Sequence, residues 1–433
     1  MKLLEELKWR GLVSHTTDES QLANILESPS INFYCGFDPT APSLHHGNLV
    51  QIILMRHLQL KGHKPYLVIG GATGLIGDPK QSGERIMRAK DKITIWVDNL
   101  TQQIKRFFDF KGQNGAVIIN NLDWTKDITV IDFLRDIGKF FRVGNMISKE
   151  TVAKRLNSLD GISYTEFSYQ VLQAWDYLYL YQKYNIVLQT GGQDQWGNLT
   201  AGLDLIRKHQ GKQVSVLTTP IITKADGSKF GKSEGGQVLW LNPSMLSPYL
   251  FYQFWLNTSD NDVEKLIKIF TFLSPDEIIE ILKQHKLHPE QRLAQKTLAK
   301  TVTTFVHGSK GLEQALTTSN FFFGKIKDIN NLEHKNIEKT LDKTSFYQVL
   351  YSLKNLEPTI VKIGDNIVDV FVKTALSQSK SDARRSIKNG GLYLNHIKIS
   401  DENYILTKND FYYNKYAILR KGKKNTVGIQ IDK

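Results

Sequence analysis

The sequence has little cysteine and no long apolar segment. Cys35 is the one cysteine among 433 residues, which excludes a disulfide framework or a cysteine zinc site and fits a reducing compartment. No segment approaches the roughly 18 apolar residues of a membrane-spanning helix, and the N-terminal residues form no secretory apolar core. With only 31 glycines and 11 prolines, a collagen-like or low-complexity chain is excluded. We therefore expect a cytoplasmic protein of about two to three domains with no membrane partner.

Positive charge is distributed unevenly along the chain. The formal net charge is +13. Residues 345–433 contain 15 Lys/Arg and 8 Asp/Glu, a net charge of +7 in 89 residues. A basic tail on a nearly balanced body is typical of an enzyme with a polyanion-binding appendage. Lysine outnumbers arginine 43 to 13, which genome composition also produces, so charge alone leaves nucleic-acid binding open.

The pattern of apolar residues predicts an α/β fold. Strands are predicted at residues 31–37, 65–69, 116–119 and 185–189, and helices at 49–60, 89–110, 128–141, 166–184 and 195–209. Strands separated by helices favour a parallel sheet covered on both faces, with ligands at the carboxyl ends of the strands. After residue 247 the pattern becomes helical, with a capping box at residues 274–277 (SPDE) and a helix over 289–307 that ends at Gly308.

Three loops carry residues suited to chemistry. Residues 70–78 (GGATGLIGD) follow a strand and match neither GxGxxG nor a Walker loop. Residues 38–48 (DPTAPSLHHGN) place two histidines and an asparagine at a predicted helix start, a donor-rich corner suited to an anion, although a histidine pair also fits a metal or an ordinary surface. Residues 223–236 (TKADGSKFGKSEGG) form a loop with three lysines and four glycines, which by itself fits a solvated turn.

Taken together, these motifs resemble a known family. HHGN at residues 45–48 and KFGKS at 229–233 are similar to the HIGH and KMSKS signatures of the first class of aminoacyl-tRNA synthetases. The segments 34–40 (YCGFDPT), 191–198 (GGQDQWGN) and 70–78 narrow the resemblance to bacterial-type tyrosyl-tRNA synthetases over nearly the whole chain. The resemblance implies a Rossmann-like catalytic domain (1–246), a helical anticodon-side domain (247–323), a linker (324–345) and a C-terminal RNA-binding domain of the ribosomal-protein S-four type (346–433).

The resemblance also implies an activity and its partners. L-tyrosine would attack the α-phosphate of ATP, with Mg²⁺, to give tyrosyl-adenylate, and the tyrosyl group would then move to the 3′ end of tRNA(Tyr). Neither step requires a protein nucleophile, so catalysis would come from positioning and from donors aimed at the phosphates. The family further implies a homodimer, no tightly bound cofactor and no metal site. The aromatic residues Phe133, Phe140 and Phe141 with Met146 fit either an interface or a core.

Individual residues inherit roles from the same resemblance. The implied catalytic residues are Thr40, His45, Asn48, Lys229 and Lys232. The implied tyrosine-binding residues are Tyr34 and Asp176 for the phenol hydroxyl, Tyr169, Gln173 and Asp78 for the ammonium group, and Gln195 near the carboxyl group. The implied ATP-binding residues are Gly36, Asp38, Thr40, His45, Gly47, Asn48, Gly192, Asp194, Lys232 and Ser233, with a weaker assignment for Arg85. The expected RNA-binding residues are Arg384, Arg385 and Lys388.

Spacing supports part of this assignment independently. Tyr169, Gln173 and Asp176 fall at i, i+4 and i+7, on one face of a predicted helix, and Arg384 and Lys388 share a face from which they would track a phosphate backbone. The chain departs from the signatures at Asn48, which replaces the second histidine but retains a hydrogen-bonding amide. It also departs at His46, expected to point away from the nucleotide, and within KFGKS.

Three alternatives remain at this stage. A tryptophanyl synthetase shares the fold but would not need Tyr34 and Asp176 to bind a phenol hydroxyl. A pantothenate-synthetase-like adenylate former also has an HIGH-type corner, although the basic tail argues against it. A non-catalytic RNA-binding protein derived from a synthetase is the third, although the intact lysine loop and pocket argue against that as its sole role.

Overall fold

The structure, a computed structural model, describes residues 1–79, 83, 88–159, 161–231, 238–323, 343–353, 358–395, 397–422 and 425–432. The chain divides into two compact units. One comprises Met1–Asn242 with Asn257–Val306, and the other Pro243–Leu256 with His307–Lys433. These two units do not coincide with the three domains and the linker that the sequence predicts, and the predicted domain boundaries stay predictions. Among the described residues, no helix has both the length and the apolar character needed to cross a membrane.

A six-stranded sheet forms the centre of the first unit. Its strands are β1 (His15–Thr16), β2 (Asn32–Phe37), β3 (Lys64–Ile69), β4 (Val117–Asn120), β5 (Ile186–Gly192) and β6 (Ser215–Thr219). They lie in the order β1-β6-β5-β2-β3-β4. Strands β2 to β6 pair in parallel, and only the short edge strand β1 is antiparallel. The carboxyl ends of the parallel strands therefore meet at one edge, where a ligand site is expected.

Helices connect and cover these strands. The α-helices of the first unit are Leu3–Arg10, Glu19–Leu26, His46–Leu60, Thr73–Ile76, Lys90–Ile104, Leu122–Thr125, Val130–Asp132, Val143–Ile147, Glu150–Leu156, Tyr164–Tyr184, Trp196–Gln210, Asp260–Phe270 and Pro275–Leu287. A π-helix spans Phe133–Ile137, and 3-10 turns span Lys105–Phe107, Gly138–Phe140, Gln193–Gln195 and Pro289–Gln291. The predicted capping box is present, because Ser274 accepts from the Glu277 backbone and Glu277 accepts from the Ser274 backbone.

The helix Tyr164–Tyr184 is central to the first unit. Ser163 caps its start by accepting the Glu166 N–H, and Asn185 ends it in a left-handed conformation with φ 50°. Its first turn is fixed by an ion pair between Arg155 and Glu166, 2.9 Å apart, with both side chains at least 98% buried. A helix held at both ends and packed on the sheet keeps its inward-facing side chains in place.

The second unit contains a five-stranded sheet. Its strands are β7 (Thr359–Val361), β8 (Leu392–Leu394), β9 (Ile397–Lys398), β10 (Tyr416–Lys421) and β11 (Asn425–Ile431), in the order β7-β11-β10-β8-β9. Its helices are Pro248–Leu256, Lys343–Ser352, Ile367–Lys373 and Lys380–Lys388, with a 3-10 turn at Lys408–Asp410. Aliphatic residues of the last two helices and the strands share one core with Phe371 and Phe411. This arrangement is the α+β domain expected from the sequence.

The helix Leu293–Phe323 contains residues of both units. It is interrupted at Gly308, whose φ of 72° and ψ of 178° are not helical, and the units divide next to this glycine, between Val306 and His307. The predicted end of a helix at Gly308 is therefore confirmed as a break.

Several predictions about individual elements were wrong. The predicted helix at 89–110 ends at Ile104. The predicted helix at 128–141 is instead a short α-helix, a π-helix and a 3-10 turn, because β-branched residues and Gly138 lower helix propensity there. Strand β6 was not predicted at all. Of the predicted linker 324–345, residues 324–342 lie outside the described part of the chain, and the helix Lys343–Ser352 begins within it.

Candidate active site

A cavity of about 390 Å³ is lined by residues at the carboxyl ends of β2, β3 and β5 and on the helix Tyr164–Tyr184. Fourteen residues to which the sequence analysis assigned a role line it together. They are Tyr34, Gly36, Asp38, Thr40, His45, Gly47, Asn48, Asp78, Tyr169, Gln173, Asp176, Gly192, Asp194 and Gln195. The fold thus brings together segments up to about 160 residues apart in the chain, while the role of each residue stays a prediction.

A buried hydroxyl and a buried carboxylate form one part of the cavity wall. Tyr34 is 2% exposed, and its hydroxyl has no hydrogen-bond partner among the described residues. Asp176, 5% exposed, accepts from Asn121 Nδ2 at 3.0 Å and from Trp124 Nε1 at 2.8 Å. A buried hydroxyl without a partner is costly, so this wall is suited to a ligand that supplies a polar group.

Burial also raises the pKa of both Tyr34 and Asp176. Burial raises the pKa of the Asp176 carboxyl to about 7, although the hydrogen bonds from Asn121 and Trp124 act in the opposite direction. Burial, reinforced by the negative charge of Asp176, raises the pKa of the Tyr34 hydroxyl well above its ordinary value. Tyr34 is therefore a neutral donor at every physiological pH, while Asp176 titrates near neutrality.

A second group of polar side chains surrounds Asp38. Its carboxylate accepts from Tyr169 Oη at 2.7 Å and from Thr73 Oγ1 at 2.7 Å. The glycine at position 70 makes room for it, because a Cβ there would lie 1.9 Å from Asp38 Oδ1. Glycine is thus required at position 70, where the backbone of the loop 70–78 closely approaches the Asp38 carboxylate. Asp38 places negative charge at the cavity.

Asp78 is the last residue of the loop 70–78. It accepts from Gln195 Nε2 at 3.0 Å and from Asn198 Nδ2 at 2.9 Å. The side-chain oxygen of Gln173 is buried with no hydrogen-bond partner among the described residues. Asp38, Asp78 and this amide oxygen give the cavity an acceptor-rich region that suits a cationic group such as an ammonium.

The HHGN motif (residues 45–48) forms the start of the helix His46–Leu60. His45 is its N-cap: Nδ1 accepts the Gly47 N–H at 3.0 Å, and Asn48 Oδ1 accepts the His45 N–H at 3.0 Å. The replacement of the second signature histidine by Asn48 therefore produces a reciprocal capping box. Burial lowers the pKa of His45 and thereby favours its neutral ring. His46 does not line the cavity, and its ring packs against Phe230.

The lysine loop is described only in part. Lys229 is exposed, does not line the cavity, and pairs through its backbone with Thr223. Phe230 is buried beside it. Lys232, Ser233 and Arg85 lie outside the described residues.

The expected RNA-binding residues lie in the second unit. Arg384, Arg385 and Lys388 are all exposed on the helix Lys380–Lys388, while Ala383 and Ile387 are its buried residues. Arg385 also contacts Asp382 at 3.4 Å. The helix is thus strongly amphipathic, with three cations on its solvent side.

Several cavity residues were missed by the sequence analysis. Asn121 lines the cavity and follows β4 directly, and a polar residue at the end of a parallel strand is a signal that could have identified it. Trp124 lies four residues after β4 and donates to Asp176 without lining the cavity. Gln51, Thr73 and Gln189 also line the cavity and lacked such a signal. Gln51 and Gln189 each have a buried side-chain oxygen without a hydrogen-bond partner among the described residues, and both line the cavity.

Comparison with known proteins identifies the family. Residues 27–324 match the model of tRNA synthetases class I (W and Y), and residues 352–428 match that of the tyrosine–tRNA ligase SYY-like C-terminal domain. The chain is 52% identical over 422 residues to a tyrosine–tRNA ligase of Bifidobacterium longum (strain DJO10A), covering 98% of this chain and 95% of that protein. It is 48% identical over 430 residues to that of Streptomyces avermitilis, covering 99% of both.

Solved structures agree with this result. A C-terminally truncated mitochondrial tyrosyl-tRNA synthetase of Aspergillus nidulans superposes with a TM-score of 0.67 at 27% identity, over 74% of this chain and 94% of that one. A tryptophanyl-tRNA synthetase of Plasmodium falciparum shares only the fold, at 14% identity and a TM-score of 0.52. The chain therefore belongs to the bacterial-type tyrosyl-tRNA synthetases, the class I enzymes that ligate tyrosine to tRNA.

Proposed function

We propose that the cavity binds L-tyrosine and ATP, joins them as tyrosyl-adenylate, and passes the tyrosyl group to the 3′ end of tRNA(Tyr). The observation that carries this proposal is the buried Tyr34 hydroxyl, without a partner among the described residues, in the same wall as the carboxylate of Asp176. The substrate hydroxyl would accept from Tyr34 and donate to Asp176. Phenylalanine would leave the Tyr34 hydroxyl without a partner and would supply no donor to Asp176, a form of discrimination for which tyrosyl-tRNA synthetases are the standard example.

The acceptor-rich region would hold the ammonium group of tyrosine. Tyr169, Gln173 and Asp78 face the cavity, and Asp38 orients the Tyr169 hydroxyl through the 2.7 Å hydrogen bond. Gln195, tied to Asp78, would lie near the substrate carboxylate. With its two ends held, the tyrosine carboxylate would approach the α-phosphate in a fixed geometry, and positioning of this kind lowers a bimolecular barrier substantially.

The HHGN corner would receive ATP. The start of the helix His46–Leu60 carries partial positive charge, and Thr40, His45 and Asn48 stand beside it on the cavity wall. Gly36, Gly47 and Gly192 would permit close approach of the nucleotide, and Asp194 would bind the ribose. Asp38, which is held by hydrogen bonds from Thr73 and Tyr169, would form part of the ATP site.

The lysine loop would stabilise the departing pyrophosphate. Lys229 and Lys232 carry the two charges for this role, with Ser233 beside them in the sequence. We further propose that Mg²⁺ enters with ATP. The described residues contain no cluster of three His, Cys, Asp or Glu side chains, and Mg²⁺ is commonly held through substrate phosphates and water. Bound there, it would neutralise phosphate charge.

The C-terminal unit would bind tRNA through its amphipathic basic helix. Arg384, Arg385 and Lys388 are the proposed contacts. We expect the triple alanine variant to bind tRNA(Tyr) more weakly, with the slope of log affinity against log salt reduced by about one per lost phosphate contact. The matched control is Lys362→Ala, an exposed lysine outside this helix. Because ribosomes consume charged tRNA, we propose that the protein acts in the cytoplasm.

We propose that the protein is a homodimer. Between residues 130 and 164 many large apolar side chains are exposed, among them Val130, Ile131, Leu134, Val143, Ile147, Leu156, Leu159 and Tyr164. Phe133, Phe140, Phe141 and Met146 pack against the core instead. A second copy would cover the exposed residues. We expect Ile131→Asp with Leu134→Asp to halve the mass in light scattering, while Leu60→Asp, at an exposed leucine elsewhere, leaves it unchanged.

Aminoacylation tests the function as a whole. Purified protein with ATP, Mg²⁺ and tRNA(Tyr) should attach labelled tyrosine to the tRNA, and it should do so neither with phenylalanine nor with tryptophan. The variant Tyr34→Phe, which removes only the hydroxyl, should accept phenylalanine more readily relative to tyrosine than the wild type does. Folded protein that charges tRNA with tryptophan in place of tyrosine would contradict the proposal.

A further inference from the structure

Three residues that differ from the general class I signature lettering contact one another. His46 stands where HIGH has an aliphatic residue, and Phe230 and Gly231 stand where KMSKS has other residues. The rings of His46 and Phe230 meet edge-on, with centroids 5.9 Å apart at 75°. A Cβ on Gly231 would lie 2.1 Å from the nearest ring atom of His46. The imidazole therefore occupies the space that a side chain at position 231 would need.

Backbone hydrogen bonds continue this contact on either side. The His46 N–H donates to Leu239 O at 3.1 Å, and the Leu239 N–H donates to Gly231 O at 3.0 Å. Phe230 stacks on Phe270 at 5.8 Å. The start of the helix His46–Leu60 is thus connected to the base of the lysine loop by one aromatic contact, one steric contact and two hydrogen bonds.

The ring of His46 has no other hydrogen-bonding role that the described residues reveal. Its Nδ1 atom is buried without a partner among them. Burial, with a smaller contribution from His45, lowers the pKa of His46 to about 4, so the ring is uncharged at neutral pH. Such a residue acts through shape and packing.

We infer that His46 is a positioning residue for the lysine loop, and that it fits only because position 231 is glycine. The ring fixes Phe230 and Gly231, and thereby sets where Lys229, the preceding residue, approaches the phosphates. This inference rests on the proposed function, because it assigns the pair a role in adenylate formation. It adds a residue outside the cavity lining.

A double-mutant cycle tests this coupling. The variants are His46→Ala, Gly231→Ala and the double variant, with Gly227→Ala alone and with His46→Ala as the matched control. Gly227 lies in the same loop with φ +79°, close to the +89° of Gly231, but a Cβ there has open space. Both substitutions therefore carry similar backbone strain, and only Gly231→Ala meets the imidazole. The readouts are the single-turnover rate of tyrosyl-adenylate formation, the KM for ATP, and the Kd for tyrosine.

We expect Gly231→Ala to slow adenylate formation at least about threefold more in the wild-type background than in His46→Ala. Gly227→Ala should have the same effect in both backgrounds, and the Kd for tyrosine should stay within about twofold throughout. An effect of Gly231→Ala that is equal in the two backgrounds would overturn the inference. Wild-type protein without tyrosine-dependent adenylate formation would instead overturn the proposed function.

A second measurement covers failure of Gly231→Ala to fold. Trypsin cleavage of the Lys229–Phe230 bond, followed by mass spectrometry, reports directly on the loop. In His46→Ala this bond should be cut faster than in the wild type, at least about threefold relative to bonds outside residues 223–239. An unchanged relative rate would contradict a role for His46 in fixing the loop.

Discussion

The indole Nε1 of Trp124 donates a hydrogen bond to Oδ1 of Asp176 over 2.8 Å, in the interior of the first unit. Asn121 donates to the other carboxylate oxygen at 3.0 Å. These two donors fix the carboxylate plane and partly compensate the cost of burying its charge. The proposed specificity of the cavity therefore depends on two residues that follow β4 as well as on Asp176 itself.

Removal of the indole donor should weaken tyrosine binding. Trp124→Phe keeps an aromatic ring stacked near Tyr179, whose centroid lies 4.7 Å from that of Trp124, but it loses the hydrogen bond to a charged group. Such a bond contributes about 1.5–3 kcal/mol, so we expect the Kd for tyrosine to rise at least about tenfold. Calorimetric titration measures it. Trp255→Phe, at a buried tryptophan of the second unit, is the control, and equal effects in the two variants would argue against the assignment.

Tyrosine binding should depend on pH through Asp176. The ionised carboxylate is the proposed acceptor, and its pKa is raised to about 7. Between pH 7.5 and pH 5.5 the Kd for tyrosine should therefore rise about 20-fold as the acceptor is protonated. Asp176→Asn does not ionise and should give a weaker but nearly flat profile. A flat wild-type profile over this range would contradict the prediction.

The raised pKa of Asp176 affects folding stability in the opposite direction: tyrosine binding should strengthen as pH rises, whereas the stability of the unliganded protein should fall. Because the folded pKa lies above the ordinary value of 3.8, the folded state binds the proton more tightly than the unfolded chain. This contribution to stability is present below about pH 4 and is lost as pH rises through about 7. Comparing the pH dependence of the free energy of unfolding in wild type and Asp176→Asn isolates it, and Asp176→Asn should show the smaller decline.

Asn48 should show two separable roles. Asn48→Ala loses the acceptor for the His45 N–H and should reduce the free energy of unfolding by about 1 kcal/mol. Asn48→Asp keeps an acceptor at a helix start, so its stability should match the wild type, while its negative charge should raise the KM for ATP several-fold. Denaturant unfolding and pyrophosphate exchange measure these quantities. Unchanged ATP kinetics in the Asn48→Asp variant would place this residue away from the nucleotide.

The buried ion pair between Arg155 and Glu166 should matter for stability rather than specificity, because neither residue lines the cavity. Glu166→Ala removes the Glu166 carboxylate from the buried Arg155 guanidinium, and breaking a buried ion pair in this way costs about 3–5 kcal/mol. Arg155 keeps its bonds to the carbonyls of Gly161 and Gly83, at 3.0 and 2.8 Å. Replacing both ionic residues with apolar ones of similar size should recover part of the loss. Chemical denaturation measures both effects, and a Glu166→Ala cost below about 1 kcal/mol would contradict this account.

The periodicity of apolar residues was sufficient to predict the main strands of the first unit. The strands Asn32–Phe37 and Lys64–Ile69 begin within one residue of their predicted starts, because continuous apolar runs between turns mark buried parallel strands. Strand Ser215–Thr219 was missed because three of its five residues are Ser or Thr, although all five are buried. Their hydroxyls are compatible with burial only in the context of the sheet.

The cavity itself was predictable only in part. Tyr169, Gln173 and Asp176 share a helix face, so spacing was enough to group them. The contact of Trp124 with Asp176 depends on how the segment after β4 meets the helix Tyr164–Tyr184, which no local pattern specifies. The capping role of Asn48 followed a pattern that was visible in the sequence but was not used. The packing of His46 on Gly231 required the three-dimensional arrangement of two loops.

Pyrophosphate exchange with each of the twenty amino acids tests the central claim most directly. Purified full-length protein, ATP, Mg²⁺ and labelled pyrophosphate would be assayed with one amino acid at a time, and with the Tyr34→Phe and Asp176→Asn variants in parallel. The account predicts exchange with tyrosine alone, weakened in both variants. Exchange with a different amino acid, or none with tyrosine from folded protein, would contradict it.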